Sequence, residues 1–541
     1  VQGRIAGQRW DGGFELSTQG LQFVTQDGLQ WPGGNVALRY NAAIGRSVAR
    51  GDLRGDRLDL AALAQIADRL PLGDQAQAVL AAQAPQGLVQ TVQARWVGDW
   101  PSLASYQVQG KVTGLALGAH AATGRPGLRG ASIDFNATQA GGRASIAIAQ
   151  GALELPGVFE ESVLPLEQLA ADVRWQIEGD RIAVQAPNLR FANADARGEA
   201  RLQWHTSDPA HSTSKARFPG VLDLEGTLRN ADGARVYRYL PLGVGTDARH
   251  YVRDAVRTGT ISTAQFRVKG DLHDLPFDTA HAGGDKGEFH IAAKISDATY
   301  AYVPPGLQPA GDKPWPALTR LAGELVFDRA SMHVKGASAK VLGHPGLQAT
   351  RIEAQIPDLG HPVVEVNADL RSPFPDTLAF VAASPLADMT SQALAHATGA
   401  GAADYRLRLS LPIAHIDQSR VQGSVAFSGT NELRITPDTP QMTRLRGTLD
   451  FNEKGFTLAG VQAQTLGGDV RIEGGLRTDA AGAAALALRL QGTASAEGLR
   501  QAPELGVVAR LAQRASGTAP YAATIGLRRG VPELQVTSTL Q

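Results

Sequence analysis

The dominant pattern along the chain is alternation with a period of two. Tyr405, Leu407, Leu409 and Leu411 interleave with Arg406, Arg408 and Ser410. Phe266, Val268, Gly270 and Leu272 interleave with Arg267, Lys269 and Asp271. The same holds for Val364, Val366, Ala368 and Leu370, and for Leu486, Leu488 and Leu490. Successive strand residues point to opposite faces, so each run predicts a strand with one apolar and one wet face. This is the signature of antiparallel sheets, because parallel strands are covered on both faces and read as unbroken apolar runs. Roughly 30 such segments are separated by short Gly, Asn and Asp turns.

Helical spacing is rare. It predicts a short helix near 60–70, with Asp59 as its cap and Pro71 as its stop. A second is expected over 247–257, with Thr246 as N-cap and Gly259 just past its end. A third helical segment covers 376–397, broken before Pro385, and a fourth covers 504–515. Alternating strands then begin near Phe266, Tyr405 and Tyr521. A second repetition lies between the helices. Leu169, Val173 and Trp175 precede Ile182 and Val184; Leu321, Leu325 and Phe327 precede Met332 and Val334; Leu445, Leu449 and Phe451 precede Phe456 and Leu458. This spacing puts Trp175, Phe327 and Phe451 at equivalent places. Self-similarity over such lengths predicts an array of sheet modules. The expected divisions are 1–150, a β segment with the helix near 60–70; 151–260, ending in the helix 247–257; 261–400, ending in 376–397; and 401–541, containing 504–515 and truncated at its C-terminal end.

Composition narrows the function. Fifty-two basic side chains balance 52 acidic ones, so no basic excess faces a phosphate backbone and nucleic acid is not an expected partner. With 43% hydrophobic and 19% charged residues, the chain is not of the disordered class. Cysteine is absent, which removes disulfides, thiolate zinc sites and thiol nucleophiles and is compatible with an oxidising compartment. No apolar run reaches the length that spans a bilayer; the longest, Ala480 to Leu488, ends at Arg489. The chain starts at Val1 without a signal peptide, and Glu533 to Gln541 still alternate, so it is read as an internal piece of a longer protein.

Catalytic patterns are missing. The twelve histidines form no His-Glu-x-x-His motif, and no Gly-x-Ser-x-Gly elbow or phosphate-binding glycine loop occurs. Glu160 and Glu161 are adjacent and would point to opposite faces of a strand, a poor acid/base pair. His205 and His211 flank a Ser/Thr stretch and are expected in an exposed loop. No enzymatic activity, metal or cofactor is expected.

Several whole phrases resemble a known family. Gly151-Ala-Leu-Glu-Leu-Pro-Gly-Val-Phe159 leads to Leu164-Pro-Leu166, Val173-Arg-Trp175 and Phe191-Ala-Asn-Ala-Asp-Ala-Arg-Gly198. Tyr239-Leu-Pro-Leu242 precedes the helix at Asp247, and Gly270-Asp-Leu-His-Asp-Leu-Pro-Phe277 follows it. In order and extent these are similar to the large periplasmic AsmA-like proteins of Gram-negative bacteria, specifically the YhdP branch, best between about 150 and 480. The resemblance implies a long, bent antiparallel β-sheet groove built of repeated modules. It also implies a periplasmic protein, anchored to the inner membrane through an N-terminal helix that this chain lacks. Its expected partners are phospholipids, whose acyl chains the groove carries between inner and outer membranes; the membrane contacts lie outside this fragment.

Elementary physics meets that expectation halfway. A sheet with one apolar face must bury it against another layer, and four helical segments are too few to cover about 30 strands. Either the sheet closes into a sandwich, or it stays open and something apolar fills it. At about 4.8 Å per strand, 30 strands give roughly 140 Å of groove. The lipid-groove candidates are Val173, Trp175, Phe191, Leu325, Phe327, Leu449, Phe451, Phe456 and Leu458, with Trp96 and Trp204 in a similar position. The same residues would serve equally as ordinary sandwich core. A structural envelope scaffold or an adhesin-like β-solenoid without lipid cargo is the alternative. Arg406 and Arg408 are expected on a solvated outer face.

Overall fold

The computed structural model describes residues 1–26, 28, 30–67, 74–99, 102–275, 277, 287–390, 392, 394–478, 484–528 and 531–539. Strands make up 62% of the described structure and helices 14%, so the mostly β, antiparallel reading holds. The far end of the expected first helix, its stop at Pro71, and Ala480 lie outside the described residues.

The chain divides into two units. The first holds Val1–Gly243 and Ser262–Ala292; the second holds Val244–Ile261 and Ala293–Gln541. In the first unit, strands from Gln2–Trp10 to Val221–Asp232 pair antiparallel in chain order, the short Gln30–Trp31 pairing beside Asn35–Asn41 on Gly13–Val24. In the second, strands from Leu318–Asp328 to Val531–Ser538 do the same, with Thr398–Ala400 as a short extra pairing on Arg420–Arg434. Among the described pairings, in neither unit does the last strand return to the first.

Register shifts interrupt many pairs, as between Arg129 and Ala131 or between Ala171 and Arg174. Non-glycine residues with positive φ, among them Gln150 at 62° and Asn230 at 52°, sit in these strands. Bulges of this kind bend a strand and raise its twist, which is how a sheet of alternating residues acquires curvature.

The helices sit at strand ends. Leu60–Ala67 follows the strand Arg50–Asp59, and Asp59 Oδ1 accepts from the Ala62 amide at 2.8 Å, an N-terminal cap. Its buried Ala62, with Leu63 and Ile66, packs on Leu58, Val89 and Val112. A further helix, Asp74–Gln83, lacks the apolar stripe that would announce it in the sequence. Thr246–Ala255 has Gly245 at its N-cap; Thr246 lies inside the first turn, where its Oγ1 accepts from Arg249 Nη2 at 3.3 Å instead of capping. The segment around 376–397 contains Phe374–Ala383 and Leu386–Met389, parted at Pro385. Helical structure near 504–515 starts earlier and is broken. Ala496–Arg500 is followed by the tight turn Pro503–Leu505 and by Val507–Ala512, with Gly506 at φ 56° between the last two.

Neither unit is a closed sandwich. The chain exposes 31395 Å², against roughly 19,000 Å² for one compact protein of its mass and roughly 22,000 Å² for two compact halves. Much of the sheet therefore has no second protein layer over it.

Candidate functional site

Cross-strand partners in a sheet share a face, so the pairings trace rows across each unit. In the first unit a row runs strand by strand from Leu16 to Leu222, through Leu53, Val108, Trp175, Val184 and Trp204. Every member is apolar or glycine. In the second unit one row links Ala337 to Leu486 through Leu407, Gly423, Phe451 and Phe456. The next runs from Ala339 to Leu534 through Tyr405, Leu449 and Leu458. None of these rows carries a charged side chain.

The nine candidates fall on this face. Val173, Trp175 and Phe191 belong to the first unit, where Trp175 opposes Val184 and Phe191 opposes Gly198. Leu325, Phe327, Leu449, Phe451, Phe456 and Leu458 belong to the second, where Phe451 opposes Phe456 and Leu449 opposes Leu458. All nine are half-buried, neither sealed nor fully exposed. Trp96 and Trp204 share the face and the intermediate burial.

The structure corrects one equivalence. The two-residue turns Gly179-Asp180, Arg329-Ala330 and Glu453-Lys454 align the three repeat copies, and they pair Ile177 with Ile182, Phe327 with Met332 and Phe451 with Phe456. Ile177, not Trp175, is therefore the counterpart of Phe327 and Phe451; Trp175 matches Leu325 and Leu449. The turn fixes register, and the upstream bulges make spacing from the earlier leucine unreliable.

Towards the strand ends the same face is sealed by helices and turns. Leu58, Val89, Val112 and Ile148 are buried beside Leu60–Ala67. In the second unit Phe374 of Phe374–Ala383 packs edge-on against Phe427 with ring centres 5.9 Å apart. There the Tyr405 hydroxyl lies 2.7 Å from Thr377 Oγ1, and burial pushes its phenol up to about 12. At the opposite end of the same strands Tyr251, from Thr246–Ala255, and Ile413 cover Ile356 and Val364.

The opposite face is polar, as alternation requires. Arg95 Nε donates to Asp52 at 2.9 Å, Gln109 to Gln93 at 3.0 Å, and Arg406 lies 3.9 Å from Asp369. His205 ends the strand Arg197–His205, its ring 2.9 Å from the Thr206 carbonyl; His211 is exposed beside Asp208 at 2.7 Å. Glu161 is an ion-pair partner: Arg238 Nε donates to it at 2.9 Å, and Arg238 Nη1 to buried Asp195 at 2.7 Å. The Tyr239 hydroxyl donates to Asp195 at 2.9 Å and accepts from Asn193 at 2.8 Å. Burial pushes that phenol up to about 12. This clasp, invisible to alternation, ties the segments around Glu161, Asn193 and Tyr239 together. Among the described residues no cluster of three or more His, Asp or Glu side chains is arranged to hold a metal, and no helix is long and apolar enough to cross a membrane.

Comparison with known proteins follows the same line. The chain is 25% identical over 448 residues to the intermembrane phospholipid transporter YhdP of Escherichia coli (strain K12), a match covering 79% of this chain and 32% of that relative. The chain thus spans about a third of the relative it matches. No solved structure matches it. The family model described as YhdP protein matches residues 1–541, so the chain belongs to the YhdP family.

Proposed function

We propose that the apolar face is the floor of a groove for phospholipid acyl chains, and that the parent protein carries phospholipids between the inner and outer membranes. The carrying observation is the set of unbroken, charge-free rows in which Ala337, Ile352, Tyr405 and Val425 are sealed but Trp175, Leu449, Phe451, Phe456 and Leu458 are only half-buried. A sealed core would bury these residues; a solvent-facing sheet would place polar groups among them.

The physics of such a floor favours movement. Each methylene laid on it contributes about 0.8 kcal/mol, so a two-chain lipid is held firmly. Neighbouring rows present similar chemistry, and no charged group along them locks the lipid at one position. Headgroups stay in water above the open face, and in the second unit the coverings at both strand ends bound the chains. Val173, Trp175, Phe191, Leu325, Phe327, Leu449, Phe451, Phe456 and Leu458 line the path. The reading places the chain in the periplasm, with an inner-membrane helix and the contacts to both membranes supplied by other parts of the protein. The task is transport without bond chemistry, so neither catalytic residues nor a cofactor enter.

The test is lipid extraction and mass spectrometry on the purified chain. Phospholipids of mixed headgroup should copurify, because the floor reads chains rather than heads. A folded preparation that is lipid-free, and stays so when offered phospholipid vesicles, points to a scaffold and refutes the reading.

A further inference from the structure

We infer that four glycines on the apolar face, Gly51, Gly142, Gly198 and Gly423, set the depth of the groove by letting the opposing aromatic rings lie down on the neighbouring strand. The inference rests on the lipid-groove reading and adds residues that act on the path without lining it by their own side chains.

Each glycine is the direct cross-strand partner of an aromatic residue: Gly51 of Trp96, Gly142 of Trp175, Gly198 of Phe191 and Gly423 of Phe451. A Cβ on Gly142 would stand 2.5 Å from Trp175 Cζ2, and one on Gly198 2.5 Å from Phe191 Cζ. Those on Gly51 and Gly423 would overlap Trp96 and Phe451 in the same way. Apolar carbons rest about 3.5–4.0 Å apart, so each ring occupies the space of an absent side chain. None of the four has the positive φ that demands glycine, unlike the turn glycine Gly179 at φ 58°. Their role is spatial.

Glycine inside a strand weakens it, and an aromatic neighbour can restore the packing. Stability alone would be served as well by alanine facing a smaller apolar residue. These four occur in both units on the apolar face, where a large ring standing upright would be a ridge across the rows; the similar pair of Gly13 and Trp10 lies on the polar face. Lying on a glycine, it offers a wide apolar surface at little height. A methyl group added at Gly142 must lift Trp175 by roughly 1 Å to reach ordinary contact.

The experiment uses the full-length protein and two readouts, phospholipid copurified per protein and transfer of labelled phospholipid between donor and acceptor vesicles. Gly142→Ala should leave copurification in place and slow transfer about fourfold, the equivalent of one methylene of lost contact at the ridge. Gly142→Ala with Trp175→Leu, which removes the ring that is lifted, should transfer faster than Gly142→Ala alone. Gly198→Ala with and without Phe191→Leu repeats the comparison if the first pair folds poorly, and Gly179→Ala, at a turn with open space around it, should slow nothing. Unchanged transfer in both glycine variants, or paired variants as slow as the single ones, overturns the inference while leaving the lipid reading intact. A wild-type protein that holds and transfers no phospholipid removes both.

Discussion

Phe451→Asp separates a filled groove from a sealed core. Phe451 is half-buried, with Gly423 on one side and Phe456 on the other, and its row holds no cation that could pair with a carboxylate. Removing a fully buried Phe costs about 3–5 kcal/mol. Half burial brings the loss nearer 2 kcal/mol, and the new carboxylate can stay hydrated on an open face. In a unit of this size that lowers the melting temperature by roughly 4–8 °C, so the sheet still folds. Transport meets a different term. An unpaired carboxylate under acyl chains costs several kcal/mol, and 3 kcal/mol is a factor of about 150. Circular dichroism melting of the chain and phospholipid transfer by the full-length protein carrying the change are measured together. The expected result is a modest drop in melting temperature with transfer abolished. Collapse of the fold would show that Phe451 is sealed core, and normal folding with normal transfer would refute the groove argument at this residue.

Two further predictions concern stability. Arg238→Ala leaves the buried Asp195 carboxylate without its cation and should destabilise the first unit by about 3 kcal/mol, read by urea unfolding followed through tryptophan fluorescence; a change below about 0.5 kcal/mol would show that the clasp is ornamental. Tyr405, with its phenol raised to about 12 by burial, ionises later in the folded than in the unfolded chain. Its contribution is therefore fully present below about pH 10 and is lost as pH rises towards 12, by up to about 2–3 kcal/mol. Tyr405→Phe should flatten the fall in urea midpoint between pH 9 and 11.5, and parallel falls would count against it.

The sheet was legible because a period of two is imposed by backbone geometry at every position. That is why Tyr405, Leu407 and Leu409 could be assigned to one face and Arg406 and Arg408 to the other. What was lost lies where a residue acts through its neighbour across the sheet. Gly423 keeps the apolar phase of Val421 and Val425, so the alternation flagged the position, but only register reveals that Phe451 fills it. Trp175 was matched to the wrong positions because bulges decouple sequence spacing from pairing. The charged clasp joins Glu161, Asp195 and Arg238 across long stretches of chain, and neither periodicity nor spacing ties such residues together. Asp74–Gln83 escaped because its alanines and glutamines form no apolar stripe.

Pairing in chain order has a consequence for how such a molecule is made. Apart from the short side pairings, each strand in the described ladders needs only the strand just before it. Contact order per strand is therefore low although the chain is long, and nothing must wait for a distant partner. A chain emerging gradually from a ribosome or a translocation pore can add strands to a growing edge, as linear repeat arrays do. Damage obeys the same rule. A strand that fails to form disturbs its two neighbours, and the ladder resumes beyond them.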